Sequence, residues 1–509
     1  MNNQVKDNTK SFDHYRRMIG LIGGPLLAIL VFLTPISGIN MAAHKLLAIM
    51  VFVSCWWITE PIPIPVTSLI GPTLAVVTGV VNVNDAFSSF ANPMIFLFIG
   101  GFIMAAAMMK HGLDKRFAYW LLSRRWVGSN PKRILIVIGI AACLCSGWIS
   151  NTATAAMMLP ICVGLLELIK EMFAANGRDI DLNNYKYATG LLLMTAYSCS
   201  IGGVLTPIGT PPNTIMLSFL HDMAKVNISF FEWMTWGFIA MALYFVLAYI
   251  VISRFFPADV KEIEGAKEYI SAKRAELEKW TKAQKNTLFC FMLAVTLWVL
   301  PGVLSIALGN DHPITQTYNQ LIPESIASML GALLLFIIPT NIRKHEVTLN
   351  WEEAKEGIEW GTLILFGGGL ALGSMMYKVG LSKWFGDAIV GFLGGTPTLF
   401  ELILIFSLLA LFLSELTSHT AATNMIGPLA ITTAMTAGIN PIPVAVAIAL
   451  ASSLGFVLPV STPPNAIFYS SGKIPITKMI KTGIFIDIIG ILCITIPLVM
   501  FFVTWILEI

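Results

Sequence analysis

Apolar stretches of membrane length alternate with short polar loops along this chain, and a helix needs about 20 such residues to cross a bilayer. Eleven crossings are expected, near residues 18–38, 43–59, 62–81, 93–110, 187–219, 233–255, 287–308, 323–340, 359–378, 442–472 and 484–507. Two further apolar segments, 133–170 and 396–436, do not fit as single spans. Each carries a polar cluster near its middle, Ser150-Asn151-Thr152 in one and Ser418-His419-Thr420 in the other. We read them as re-entrant hairpins, a pattern that hydropathy alone does not separate from two short crossings. Either way the chain returns to the side it came from. The expected fold is an all-α polytopic membrane protein, eleven transmembrane helices plus two re-entrant hairpins.

Composition agrees with that pattern. Hydrophobic residues make up 56% of the 509 and charged residues 12%, roughly half the charged share of a soluble protein. Mean hydropathy is +0.76. Thirty-two Lys and Arg against 29 Asp and Glu leave +3, so there is no basic field to hold nucleic acid. All seven cysteines sit in apolar stretches, and Cys143 and Cys145 are too close for a zinc knuckle. They are expected to pack as small hydrophobes. The apolar run from Met18 to about Ser37 lacks a small-x-small cleavage site and is expected to be a retained first span rather than a signal peptide.

Basic residues orient the spans. With the N-terminus in the cytoplasm, the inside loops hold Lys115, Arg116, Arg124, Arg125, Lys132 and Arg133, then Arg343 and Lys344, then Lys473, Lys478 and Lys481. Loops 82–92, 220–232 and 309–322 contain few and fall outside. An odd number of spans then leaves the C-terminus outside a cytoplasmic (plasma) membrane.

The two halves of the chain are related. Phe98-Ile99-Gly100-Gly101 and Gly112-Leu113-Asp114-Lys115 resemble Phe366-Gly367-Gly368-Gly369 and Gly380-Leu381-Ser382-Lys383 at a constant offset of 268. The same offset carries Ser150 onto Ser418, Thr152 onto Thr420 and Pro160 onto Pro428. After one gap, Thr210-Pro211-Pro212-Asn213 falls on Thr462-Pro463-Pro464-Asn465. The expected organisation is a tail and first span over 1–42, a first repeat over 43–255, a cytoplasmic linker over 256–286 and a second repeat over 287–509. Five crossings per repeat make the copies inverted, as in many secondary transporters.

The paired Thr-Pro-Pro-Asn stretches interrupt apolar spans. Thr is a good N-cap and Pro suits the first helical position, so Thr210 and Thr462 are expected to start half-helices within the membrane. Gly202, Gly203 and Gly209 before the first, and Gly455 before the second, favour unwound backbone. Half-helix N-termini suit a carboxylate, and unwound carbonyls suit a small cation. A proline kink alone is the plainer reading of each stretch; their matched positions favour function. The hairpin clusters add hydroxyls and an amide at two more helix starts. No Lys or Arg lies in any of the four motifs, so hydrogen bonds and dipoles would hold an anion.

These residues carry a family resemblance. The run Ser146-Gly147-Trp148-Ile149-Ser150-Asn151-Thr152-Ala153-Thr154-Ala155-Ala156-Met157, the stretch Trp56-Trp57-Ile58-Thr59-Glu60-Pro61-Ile62-Pro63 and the paired Thr-Pro-Pro-Asn resemble the divalent anion/sodium symporter family. The resemblance implies a homodimer of eleven-span protomers, each with a scaffold domain and a transport domain that moves as an elevator. Its substrates are succinate, malate, fumarate and 2-oxoglutarate class dicarboxylates, sometimes a tricarboxylate. It implies a substrate site of Ser150, Asn151, Thr152 and Thr210 with Ser418, His419, Thr420 and Thr462. One sodium site would use Ser146, Ser150, Asn151 and Gly209, a second Ser414, Thr417 and Ser461. No cofactor is expected beyond a coupling sodium ion.

One departure stands out: the second Ser-Asn-Thr is Ser418-His419-Thr420, which loses an amide oxygen suited to sodium. A protonated imidazole could stand in for the cation. Sodium symport and sodium-independent dicarboxylate exchange both stay open on these residues. An anion channel is the alternative from another class. An enzyme finds no nucleophile triad, metal-spaced cluster or nucleotide motif.

Overall fold

The computed structural model describes residues 2–277, 279–309, 311–395 and 397–505. Thr396 at the start of the second hairpin, the end of the 484–507 crossing and the C-terminus, with the side predicted for it, lie outside the described residues. Helices account for most of the chain, and a two-stranded antiparallel ribbon pairs Pro339–Asn341 with Glu346–Val347.

Among the described residues nine helices are long and apolar enough to cross a bilayer. Seven fall on expected crossings; the other two, Asn151–Ala175 and Leu399–Leu416, belong to the hairpin segments. The four remaining expected crossings are short, bent or broken. Ile64–Val77 has only 14 residues, and Pro313–Leu321 meets Glu324–Ile337 at 56°. Segment 187–219 divides into Lys186–Gly203 and Pro211–Phe219, and 442–472 into Pro441–Ser452 and Pro463–Ser470. Proline cannot supply a helical N–H, and the glycines before it let the backbone leave the helix.

Both polar clusters sit where one helix ends and the next begins. Pro131–Ser146 gives way to Asn151–Ala175, and Leu399–Leu416 to His419–Thr436. Ser150 and Ser418 cap the returning helices, accepting the N–H of Ala153 at 3.3 Å and of Ala421 at 3.2 Å. The mixed-charge linker holds the helix Ala266–Ala275.

The helices cluster into two compact units, each drawing on both halves of the chain. One comprises Met1–Ile95, Thr214–Asn227 and Trp360–Ser452. Its core gathers Leu46, Phe52, Val53, Trp57, Leu372 and Met376. The glycine run of helix Trp360–Lys378 serves close packing there. A Cβ at Gly368 would lie 2.5 Å from the Ser68 carbonyl oxygen, and one at Gly369 2.0 Å from Asn424 Oδ1. The other unit comprises Phe96–Asn213, Ile228–Glu359 and Ser453–Ile509. In it Phe230 stacks on Trp298 at 4.7 Å between ring centres. Gly202 lets two helices touch, since a Cβ would fall 2.2 Å from the Cys143 carbonyl oxygen. Helix Pro463–Ser470 packs there against Asn151–Ala175 and Lys186–Gly203, bringing the second Thr-Pro-Pro-Asn beside helices of the first repeat.

Candidate functional site

The second unit assembles the first group of expected site residues. Ser146, fully buried at the end of its helix, donates its hydroxyl to Asn151 Oδ1 at 2.5 Å across the hairpin turn. Gly203 faces the same amide: a Cβ there would sit 2.7 Å from Asn151 Oδ1 and 3.1 Å from Thr210 Cβ. Gly209 closes on Gly203 in turn, with room for no side chain 2.5 Å from its carbonyl oxygen. Thr206 donates to the Gly147 carbonyl at 2.5 Å and ties the unwound loop to the hairpin. Ser146, Asn151, Gly209 and Thr210 thus share one locus. Ser150, Asn151 and Thr152 are half-buried at the start of the returning helix. This locus offers hydroxyls, an amide and two helix N-termini, a set that can solvate an anion's oxygens while nearby carbonyls take a cation.

Sequence reasoning missed how the breaks are held open. Asn213 Nδ2 donates to the carbonyls of Gly203 at 3.0 Å and Thr206 at 2.8 Å. Asn465 Nδ2 does the same to Gly455 at 3.0 Å and Leu458 at 3.1 Å. Every partner is displaced by 252 residues, so the two clamps are copies. In the second copy Thr462 caps the half-helix, accepting the Asn465 N–H at 3.2 Å. Thr462 and its neighbour Ser461 are buried in the second unit. The clue was available in the Asn that ends each Thr-Pro-Pro-Asn. Replacing Asn213 by Leu removes two hydrogen bonds and leaves two carbonyls unpaired, a loss of about 2–4 kcal/mol. Thermal unfolding of the detergent-purified variant is expected several degrees below wild type.

The first unit holds the remaining group. Ser414, at the position of Ser146 plus 268, pairs with His419 at the position of Asn151 plus 268. The hairpin closure is conserved between copies, but its polarity is reversed. Ser414 donates its single hydrogen to the Ser452 carbonyl at 2.7 Å, so at 2.5 Å it accepts from His419 Nδ1. His419 is 8% exposed, and its Nε2 is buried without a hydrogen-bond partner. Thr417 donates its hydroxyl to the Trp57 carbonyl at 2.8 Å. Ser418 is the cap described above, and Thr420 is buried in the first turn. Of the expected second sodium set, Ser414 and Thr417 belong to this unit and Ser461 to the other.

A cavity of about 590 Å³ in the second unit reaches the first hairpin turn, lined by Asp114, Arg116, Trp120, Cys145, Trp148 and Trp280. Burial pushes the Asp114 carboxyl up to about 6.

The family model of the sodium:sulfate symporter transmembrane region matches residues 18–508. A sodium-dependent dicarboxylate transporter, SdcS, of Staphylococcus saprophyticus is 34% identical over 500 residues, covering 98% of this chain and 93% of the relative. The SdcS of Staphylococcus aureus (strain USA300) is 34% identical over 495 residues, covering 96% and 91%. Among solved structures, the Alcanivorax borkumensis YdaH transporter aligns with a TM-score of 0.56 at 16% identity, over 96% of this chain and 97% of that one. That last likeness concerns the fold alone.

Proposed function

Because this chain belongs to the sodium:sulfate symporter family, the divalent anion/sodium symporters, we propose that it carries dicarboxylates of the succinate, malate and fumarate class across the plasma membrane. Membership makes it an integral membrane transporter and not an enzyme. The channel alternative finds no support among the relatives.

The observation that carries the proposal is the locus around Asn151. Hydroxyls of Ser150, Thr152 and Thr210 and the N-termini behind them bind carboxylate oxygens, with no basic side chain to bind them irreversibly tightly. Thr462, buried in the same unit, caps the second half-helix for the other carboxylate. Sodium enters through Ser146, Ser150, Asn151 and Gly209, coupling downhill sodium entry to substrate uptake. An elevator movement of the hairpin-bearing part, in a homodimer with cytoplasmic N-termini, completes the reading.

The second copy favours a variant of it. The His419 ring already occupies a lone pair of Ser414, so sodium coupling through that copy is weakened and a share of the traffic runs as dicarboxylate exchange. Purified protein in liposomes decides between them. Labelled succinate uptake is expected to rise with an inward sodium gradient and to persist, more slowly, in choline when the liposomes contain unlabelled succinate. No saturable succinate uptake under either condition would overturn the proposal.

Inversion of the repeats has its own consequence. Ser150→Cys and Ser418→Cys in otherwise cysteine-free protein are expected to react with membrane-impermeant maleimide from opposite sides. Labelling of both from one side in sodium, in choline and with succinate would count against it.

A further inference from the structure

The transport reading leaves one deeply buried acid unused. Asp487 lies within the apolar helix Ile476–Gly490 and is 1% exposed. Its two oxygens accept consecutive backbone N–H groups of the second unwound segment, Oδ1 from Gly455 at 3.4 Å and Oδ2 from Phe456 at 3.1 Å. Those donors are freed by the break itself, since the helix Pro441–Ser452 has ended and no longer supplies them carbonyls. An acid at this depth is costly and persists where specific partners offset the cost.

The helix is shaped for this contact. One turn before Asp487, a Cβ at Gly483 would fall 2.2 Å from the Phe456 carbonyl oxygen and 2.6 Å from Val457 Cα. Another turn back, Met479 shares a hydroxyl with the segment: Tyr197 donates to the Phe456 carbonyl at 2.9 Å and reaches that of Met479 at 3.4 Å. Residues 479, 483 and 487 follow the i, i+4, i+8 spacing of one helix face. Asn465 grips the same segment by its carbonyls at Gly455 and Leu458, while Asp487 grips it by its amides. Gly455 adopts φ +137° between the two grips, a conformation that suits glycine. The first copy is held otherwise. Val204, 252 positions before Phe456, sends its N–H to Ile201 at 3.4 Å and receives the Trp233 indole N–H on its carbonyl at 3.1 Å.

We propose that Asp487 is a positioning residue for the second half of the transport site, fixing the Gly455–Phe456 backbone and, through the short loop that follows, the oxygens of Ser461 and Thr462. Its functional half rests on the transport reading above, and its geometric half does not. An amide at 487 would turn an N–H toward one of the two backbone donors and release it.

Two measurements on the full-length protein test this. In Asp487→Asn, deuterium exchange of peptides spanning 453–460 is expected to quicken at least tenfold, with the hairpin peptides unchanged. The succinate concentration for half-maximal uptake should rise at least tenfold while the maximal rate stays within threefold. Gly483→Ala, which keeps the carboxylate but wedges the backbones apart, should give the same signature and carries the test if Asp487→Asn does not fold. Exchange in 453–460 unchanged in the folded variant, or a succinate curve that does not move, overturns the proposal. Wild-type protein with no saturable succinate uptake would overturn the proposed function instead, and the exchange rates would still decide whether Asp487 holds the backbone.

Discussion

Asn151→Ala is expected to cut sodium-driven succinate uptake at least a hundredfold while the protein stays folded in the membrane. Asn151 serves two partners on the transport reading, the substrate carboxylate and the Ser146 hydroxyl that reaches it at 2.5 Å. A hydrogen bond to a charged group contributes about 1.5–3 kcal/mol, and a buried hydroxyl deprived of its acceptor costs about 1–3 kcal/mol more. Together these come to about 2.5–6 kcal/mol, a range that reaches the ~2.8 kcal/mol of a hundredfold change in affinity near its lower end. The turn itself survives because other bonds close it. Ser150 still caps its helix through the Ala153 N–H, and Thr206 still holds the Gly147 carbonyl. Uptake in liposomes together with size-exclusion behaviour in detergent separates loss of function from loss of fold. Wild-type uptake in the purified variant would remove Asn151 from the site.

His419→Asn should make the transporter more dependent on sodium. The substitution restores Ser-Asn-Thr in the second copy and, with it, the option seen in the first, where the serine donates to an amide oxygen. Ser414 then regains the lone pair that the ring Nδ1–H now uses. Dicarboxylate exchange in choline is expected to fall at least tenfold relative to wild type. Uptake in saturating sodium should hold or increase, because a cation and a dianion bound side by side favour each other by linkage. Parallel titrations of sodium against succinate uptake measure both effects. If wild type is silent in choline and His419→Asn has the same sodium curve, the ring does not replace an ion.

Much of this molecule is legible in its sequence, because a span that must sit in lipid is apolar whether it faces protein or the bilayer. The broken spans announced themselves at Thr210-Pro211-Pro212-Asn213 and Thr462-Pro463-Pro464-Asn465, where Pro and Gly forbid a continuous helix. The hairpin turns at Ser150 and Ser418 were equally visible as polar caps inside apolar runs. Hidden features were those that depend on a partner distant in sequence. Asn465 reads as a polar residue opening a half-helix, and nothing local says that its amide reaches back to Gly455. Asp487 reads as a stray acid in an apolar helix until Gly455 and Phe456, some thirty positions earlier, present their N–H groups. The crossing at 323–340 was legible as apolar, but not the helix Pro313–Leu321 that meets it at 56°, because that stretch reads as a polar loop.

The reversed pairing of Ser414 and His419 has a consequence for how such a carrier can diverge. Asparagine and histidine codons differ only in their first base, so one nucleotide change suffices to exchange an acceptor for a donor across that turn while the serine rotates its hydroxyl to suit. Both copies are encoded separately within a single gene, and the Ser146–Asn151 pair need not follow. A carrier assembled from two identical half-length subunits would alter both turns at once and lose both versions of the pairing together. On the transport reading, fusion of the halves therefore lets the ion requirement of one turn drift by point mutation under cover of the other.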